Sequence, residues 1–211
     1  MPNYKRATNL ASELLLKQTH IDTFPINPQN INIDHVYNVF CTFAEYSKKT
    51  NIPILKLTNN GQFNDGYTLR NIRPNTNIIL YNDTIFSSGR ILWTNSHELG
   101  HIVLNHTDHS LNNEKEANAF ASQLLLPKCI LKKLIKEYVP VTPKYLVDNF
   151  GLSDEVAKNS ISSIRNTINY DFEDIYDEAL LIKFNTFLSS KTSNFLSSYL
   201  DDMEIERSLW K

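Results

Sequence analysis

Two histidines stand four residues apart in the stretch Thr94-Asn95-Ser96-His97-Glu98-Leu99-Gly100-His101. On a helix both imidazoles share one face, a turn apart, and can reach a single ion. Glu98, directly after the first histidine, points toward the same side but falls short of coordination. That position suits a general base taking a proton from water activated by the ion. A catalytic zinc needs a third protein ligand and keeps a fourth position open. One solution is a glycine three residues after the second histidine and a further histidine three beyond it, but Leu104 and Thr107 occupy those places. The other is a glutamate from a second helix, for which Glu114 and Glu116 are rivals. Four residues after Glu114, on the same helix face, comes Asn118, able to hold the other ring nitrogen of His97. Four after Glu116 comes Phe120, which cannot. Ala117 and Ala121 leave room for the metal-bearing helix to approach. The spacing therefore favours His97, His101 and Glu114 as metal ligands, Glu98 as base and Asn118 as the residue supporting His97.

The surrounding elements must bring these residues together. Spacing of apolar residues by three and four predicts helices over Tyr4 to Lys17 and over about Asp34 to Lys48. Short β-rich runs at Ile52 to Leu57, Tyr67 to Asn71 and Asn77 to Tyr81, separated by Asn, Gly and Pro, predict a small antiparallel sheet. The chain then turns helical: Ser88 to Asn105 carries the histidines, and Asn113 to Leu126, capped by Asn112 or Asn113, carries the glutamate. Lys128 to Tyr138, Lys144 to Phe150, Ser153 to Thr167, Asp171 to Leu188 and Asn194 to Leu209 follow as further helices. The expected class is α+β, mainly helical and zincin-like, with a small antiparallel sheet.

Composition narrows the partners. In 211 residues, 21 Lys+Arg against 23 Asp+Glu give a net charge of −2, which argues against a protein built to neutralise phosphates. Two cysteines, Cys41 and Cys129, exclude a disulfide scaffold and suit a reducing compartment. No apolar run approaches the ~20 residues of a membrane span. A soluble, cytoplasmic protein is expected. The charge is unevenly placed, with nine acids and four bases in residues 170–211. This step sets off an acidic helical extension (170–211), and the break at Pro140 and Pro143 separates the domain carrying the candidate metal site (1–140) from a helix-turn-helix-like annex (141–169).

The run His97-Glu98-Leu99-Gly100-His101, the nearby His106, and Glu114-Lys-Glu-Ala117-Asn118-Ala-Phe120-Ala121 ending in Leu124-Leu-Leu-Pro127 resemble the ImmA/IrrE family of metallo-endopeptidases. The family's second motif, E-x-x-A-[ND]-x-F-A followed by L-L-x-P, is met at every position. The strong part of the likeness spans Thr94 to Pro127, and a weaker part extends from the N-terminal helix to about Thr167. The resemblance implies a zinc-dependent, gluzincin-like, selective endopeptidase. It also implies a protein substrate, typically a helix-turn-helix repressor of a mobile element, prophage or stress response.

Tyr81, His106 and His109 are candidate donors to the oxyanion of the tetrahedral intermediate. The strand Asn77 to Tyr81 is a candidate edge for an extended substrate. In Thr142 to Thr167 the charges cancel, Lys144, Lys158 and Arg165 against Asp148, Asp154 and Glu155, so direct DNA binding is not expected. The alternative to the protease is a non-proteolytic regulator or anti-repressor that keeps the zinc fold and binds DNA or sequesters a repressor. An intact Glu98 favours the enzyme, because a binding protein has no use for the base.

Overall fold

The computed structural model describes residues 1–61, 65–165, 174–193, 195 and 197. Helix α1 (Tyr4–Lys17) leads through a single 3-10 turn at Pro28–Asn30 to strand β1 (Tyr37–Thr42), helix α2 (Phe43–Thr50) and the one-turn α3 (Ile54–Leu57). A hairpin of β2 (Gly66–Arg73) and β3 (Thr76–Tyr81) precedes α4 (Ser88–Val103) and α5 (Leu111–Leu125). Then come α6 (Lys128–Lys136), α7 (Pro143–Phe150), α8 (Asp154–Arg165) and α9 (Asp177–Lys183). The expected mainly helical α+β class is found.

The sheet differs from expectation in one respect. Among the described residues it has three strands in the order β1-β3-β2, with β2 antiparallel to β3 but β1 parallel to it. It is therefore mixed, and its first strand lies where a helix was expected. Val36, Val39, Phe40 and Phe43 mimic helical spacing across a junction. Thr42 ends the strand and caps α2: its hydroxyl accepts from the Glu45 N–H at 3.1 Å, and the Glu45 carboxylate accepts from the Thr42 N–H at 3.1 Å. This reciprocal capping box starts the helix only at Phe43. The strand expected at Ile52 to Leu57 is instead one helical turn opened by Pro53, whose carbonyl accepts from the Leu57 N–H at 3.2 Å.

Among the described residues, two buried clusters sit on opposite faces of the sheet. Ile79 joins the main one with Leu15, Leu99, Phe120 and Leu124, while Leu80 joins Cys41, Phe43 and Leu57 in the smaller. The period-two alternation of β3 divides its side chains between them. Leu180, Phe184, Phe187 and Leu188 belong to the main cluster. Phe24 stacks on Phe150, Phe184 and Phe187 with centroids 4.7, 4.6 and 4.9 Å away. Part of the stretch read as an acidic extension therefore packs against the core. All of the helix expected over Asn194 to Leu209 except Phe195 and Ser197, and the end of the one expected to Thr167, lie outside the described residues.

Two glycines set how closely α4 is held. A Cβ on Gly89 would lie 2.4 Å from the Ser153 nitrogen, so the start of α4 rests on the backbone between α7 and α8. A Cβ on Gly100 would lie 2.9 Å from Cδ1 of Phe120, so α4 and α5 approach closely where the histidines face the glutamate.

Candidate metal centre

Helix α4 begins at Ser87, whose hydroxyl accepts from the Arg90 N–H, and runs through both histidines. Helix α5 is capped by Ser110, ahead of the expected Asn112 or Asn113, with Asn113 donating from its side chain to Asp108 instead. Glu114, in the first turn of α5, lies beside the histidines. His97 Nε2 lies 3.0 Å from His101 Nε2 and 3.1 Å from Glu114 Oε2, and His101 Nε2 lies 3.4 Å from Glu114 Oε1. These are the three residues among those described whose ligand atoms gather as a metal-binding group, all within 4.8 Å of one another.

The donor set fits a tetrahedral cation of zinc's size. Bonds of ~2.0–2.1 Å to such an ion separate its ligands by about 3.3 Å. His97 donates its Nδ1–H to Asn118 Oδ1 at 2.9 Å, which leaves the Nε2 lone pair facing the other two donors. When no cation takes the lone pairs and the rings carry protons on Nε2, hydrogen bonds from His101 and then His97 hold the Glu114 carboxyl well below the usual carboxylate range. Burial works against a charged His97, but the hydrogen bond to Glu114 and the charges of Glu98 and Glu114 lift its pKa above the ordinary value. Convergent negative charge and lone pairs are what a cation requires. Access comes from the Glu114 side, whose side chain is 34% exposed against 5% for His101.

Glu98 is buried on the same helix, and its Oε2 accepts from the Thr68 hydroxyl at 2.8 Å. Residue spacing gives Thr68 no role, because nothing local links a strand threonine to a helix thirty residues on. Gly66 and Arg70 share its face of β2 by alternation. A Cβ on Gly66 would meet Thr94 of α4 at 2.6 Å. Arg70 donates to the carbonyls of His106 and Ile102 beyond and within the last turn of α4. One strand thus aims the candidate base and caps α4.

The remaining candidates are dispersed. Glu116, the rival ligand, faces α1, where it accepts from the Asn3 N–H at 2.7 Å. His106 is buried behind His101 and is turned away from the open side. His109 is at the mouth, its Nδ1 2.9 Å from Glu114 Oε1. Tyr81 ends β3 opposite Gly66. Strand β3 is central, paired on both sides, so it cannot take an added strand; β2 is the sheet edge next to α4. A cleft of about 780 Å³ opens beside Asn118 and is lined also by Trp93, Ser122, Asp154 and Asn159. No helix among the described residues is long and apolar enough to cross a membrane.

No curated protein matches the chain. A family model, the IrrE N-terminal-like domain of Peptidase_M78, matches residues 48–162, from α2 to α8, and so includes both helices of the centre. The chain belongs to this metallopeptidase family, the same ImmA/IrrE relationship that its paired motifs resemble.

Proposed function

We propose that the protein is a zinc-dependent, gluzincin-like endopeptidase that selectively cleaves a regulatory protein in the cytoplasm, with a helix-turn-helix repressor of a mobile element, prophage or stress response as its substrate class. The convergence of His97, His101 and Glu114 at 3.0–3.4 Å, with Glu98 on the same helix, carries this reading. Bound zinc would polarise the scissile carbonyl and make water acidic enough to be deprotonated near neutral pH. Glu98 accepts that proton and delivers it to the leaving amine, restoring the carboxylate. Thr68 holds the carboxylate in line by donating to one oxygen, which leaves the other for the proton. His109, beside Glu114 at the mouth, is the best placed of the three candidate oxyanion donors. An extended peptide would add to the edge of β2, and the cleft beside Asn118 would take side chains on one side of the scissile bond.

DNA contact has no part in this proposal: Asp154 and Glu155, at the first turn of α8, line the cleft. The test is incubation of zinc-loaded wild type and Glu98→Gln with a helix-turn-helix repressor encoded beside it. A discrete product from wild type alone, with equal zinc in both proteins, is expected. Relief of repression by both proteins without any product would instead support the non-proteolytic regulator.

A further inference from the structure

Glu114 and Glu116 are two residues apart on α5, so at 100° per residue they leave the helix on nearly opposite sides. Glu114 faces the metal ligands. Glu116, 8% exposed, is nevertheless joined to them through His106. His106 Nε2 lies 3.2 Å from Glu116 Oε2, and His106 Nδ1 lies 3.0 Å from His101 Nδ1. A local device explains the second contact. After Leu104 caps α4, Asn105 takes the left-handed conformation with φ 56°. The Asn105 N–H donates to the Ile102 carbonyl at 3.0 Å and the His106 N–H to the His101 carbonyl at 3.0 Å. These two bonds make a Schellman motif, which brings the fifth residue after His101 back against it. The side-chain contact at those two positions is commonly apolar; here it joins two buried imidazoles.

The protons in this chain have one consistent arrangement. Two Nδ1 atoms at 3.0 Å require one proton between them. His101 Nε2 must present a lone pair to the cation, so its ring proton is on Nδ1 and is donated to His106. His106 Nδ1 is then the acceptor, and its own proton is on Nε2, donated to Glu116. Glu116 is suited to accept, because the Asn3 N–H donates to its Oε1 at 2.7 Å and Arg6 lies 3.7 Å from its Oε2. Arg6 also donates to the Leu104 carbonyl at 2.9 Å, and Arg70 to the His106 carbonyl, so the loop's backbone is held from two sides. Asn3 and Arg6 lie outside the segment that the family model matches.

We propose that His106 and Glu116 are positioning residues for the metal ligand His101: together they fix its Nδ1–H tautomer and ring orientation, as Asn118 alone does for His97. The inference rests on the metal reading above and adds the N-terminal residues Asn3 and Arg6 as the far anchor of the centre.

The test uses the full chain, zinc competition against a chromophoric chelator, and 15N shifts of the histidine rings. Asn at position 106 puts its oxygen where Nδ1 stood, so His106→Asn keeps the acceptor for His101. Gln reaches to where Nε2 stood, so His106→Gln keeps a partner for Glu116 and leaves the His101 proton unpaired. Removing such a support typically costs ~10–100-fold in metal affinity, so the Gln variant should lose that much while the Asn variant stays within about threefold of wild type. In zinc-loaded wild type the His106 proton should be on Nε2. Equal zinc affinity in wild type and both variants, or a proton on His106 Nδ1, would overturn the relay while leaving the metal reading intact. Wild type that takes up no zinc would overturn both. Melting curves of the metal-free variants separate lost folding from lost affinity, and if the Gln variant does not fold, the ring-proton assignment in wild type decides.

Discussion

Thr68 and Asn118 do similar work for different partners: each fixes one side chain of α4 through one oxygen, at 2.8 Å to Glu98 and 2.9 Å to His97. Their loss should have distinguishable effects. Thr68→Val removes the donor while keeping the shape, and should lower kcat about tenfold with bound zinc unchanged, since an aimed base contributes to proton transfer. Steady-state kinetics alongside metal analysis checks both halves. At the ligands, Glu114→Ala should purify without zinc, because two histidines do not close a site. Glu116→Ala should still bind zinc, though more weakly, and metal content after dialysis separates them. Full retention of metal in Glu114→Ala would remove it from the ligand set.

Helix α4 is held at both ends by contacts that exclude a β-carbon, and the obstacles differ. At Gly100 the obstacle is the Phe120 ring, 2.9 Å from where an added methyl would sit, and a side chain can shift. At Gly89 it is the backbone of Leu152 and Ser153, at 2.5 and 2.4 Å, which cannot shift without moving α8. Gly100→Ala should therefore cost about 1–3 kcal/mol and Gly89→Ala more, read by urea unfolding of the zinc-free protein. Gly100→Ala should also weaken zinc binding, because it separates α4 from the helix carrying Glu114. The same reasoning covers the loops. Asn51, Asn59, Asn60, Asn71, Asn75 and Asn105 all have positive φ, so in a chain with 5 glycines asparagine fills left-handed positions.

Across the whole molecule, the C-terminal helical residues are part of what supports the site. Phe184 is fully buried against Phe24, and Pro25, next in the chain, meets Gly151 at the turn under α4. Phe184→Ala should cost about 3–5 kcal/mol in urea unfolding, as other large-to-small core changes do. Loss near zero would mark the segment as an independent appendage. Acid dependence has a source here too. Burial, with the charge of Asp174, pushes the Asp177 carboxyl above its ordinary value. The folded state then binds this proton more tightly than the unfolded state, so stability falls as pH rises through the interval between the two values. Asp177→Asn should raise Tm at pH 7 by about 1–3 °C, and the gain should shrink in acid and vanish below the unfolded value.

That His97 and His101 share one face of α4, and that Glu114 and Asn118 share the face of α5 turned toward them, was readable from the chain alone, because helical geometry turns a spacing of four into a shared face. Caps and breakers located most helices for the same local reason. Strand β1 was not readable: its partner β3 lies far along the chain, Tyr37 pairing with Thr76, and a capping box hid the strand's end inside an apparently helical pattern. Nor could spacing assign Thr68, His106, Glu116 and Asn3, whose contacts with the centre and its supports cross from β2, a helix-end loop, the far face of α5 and the N-terminus. A helix's periodicity states which residues share a face; only packing decides what that face meets.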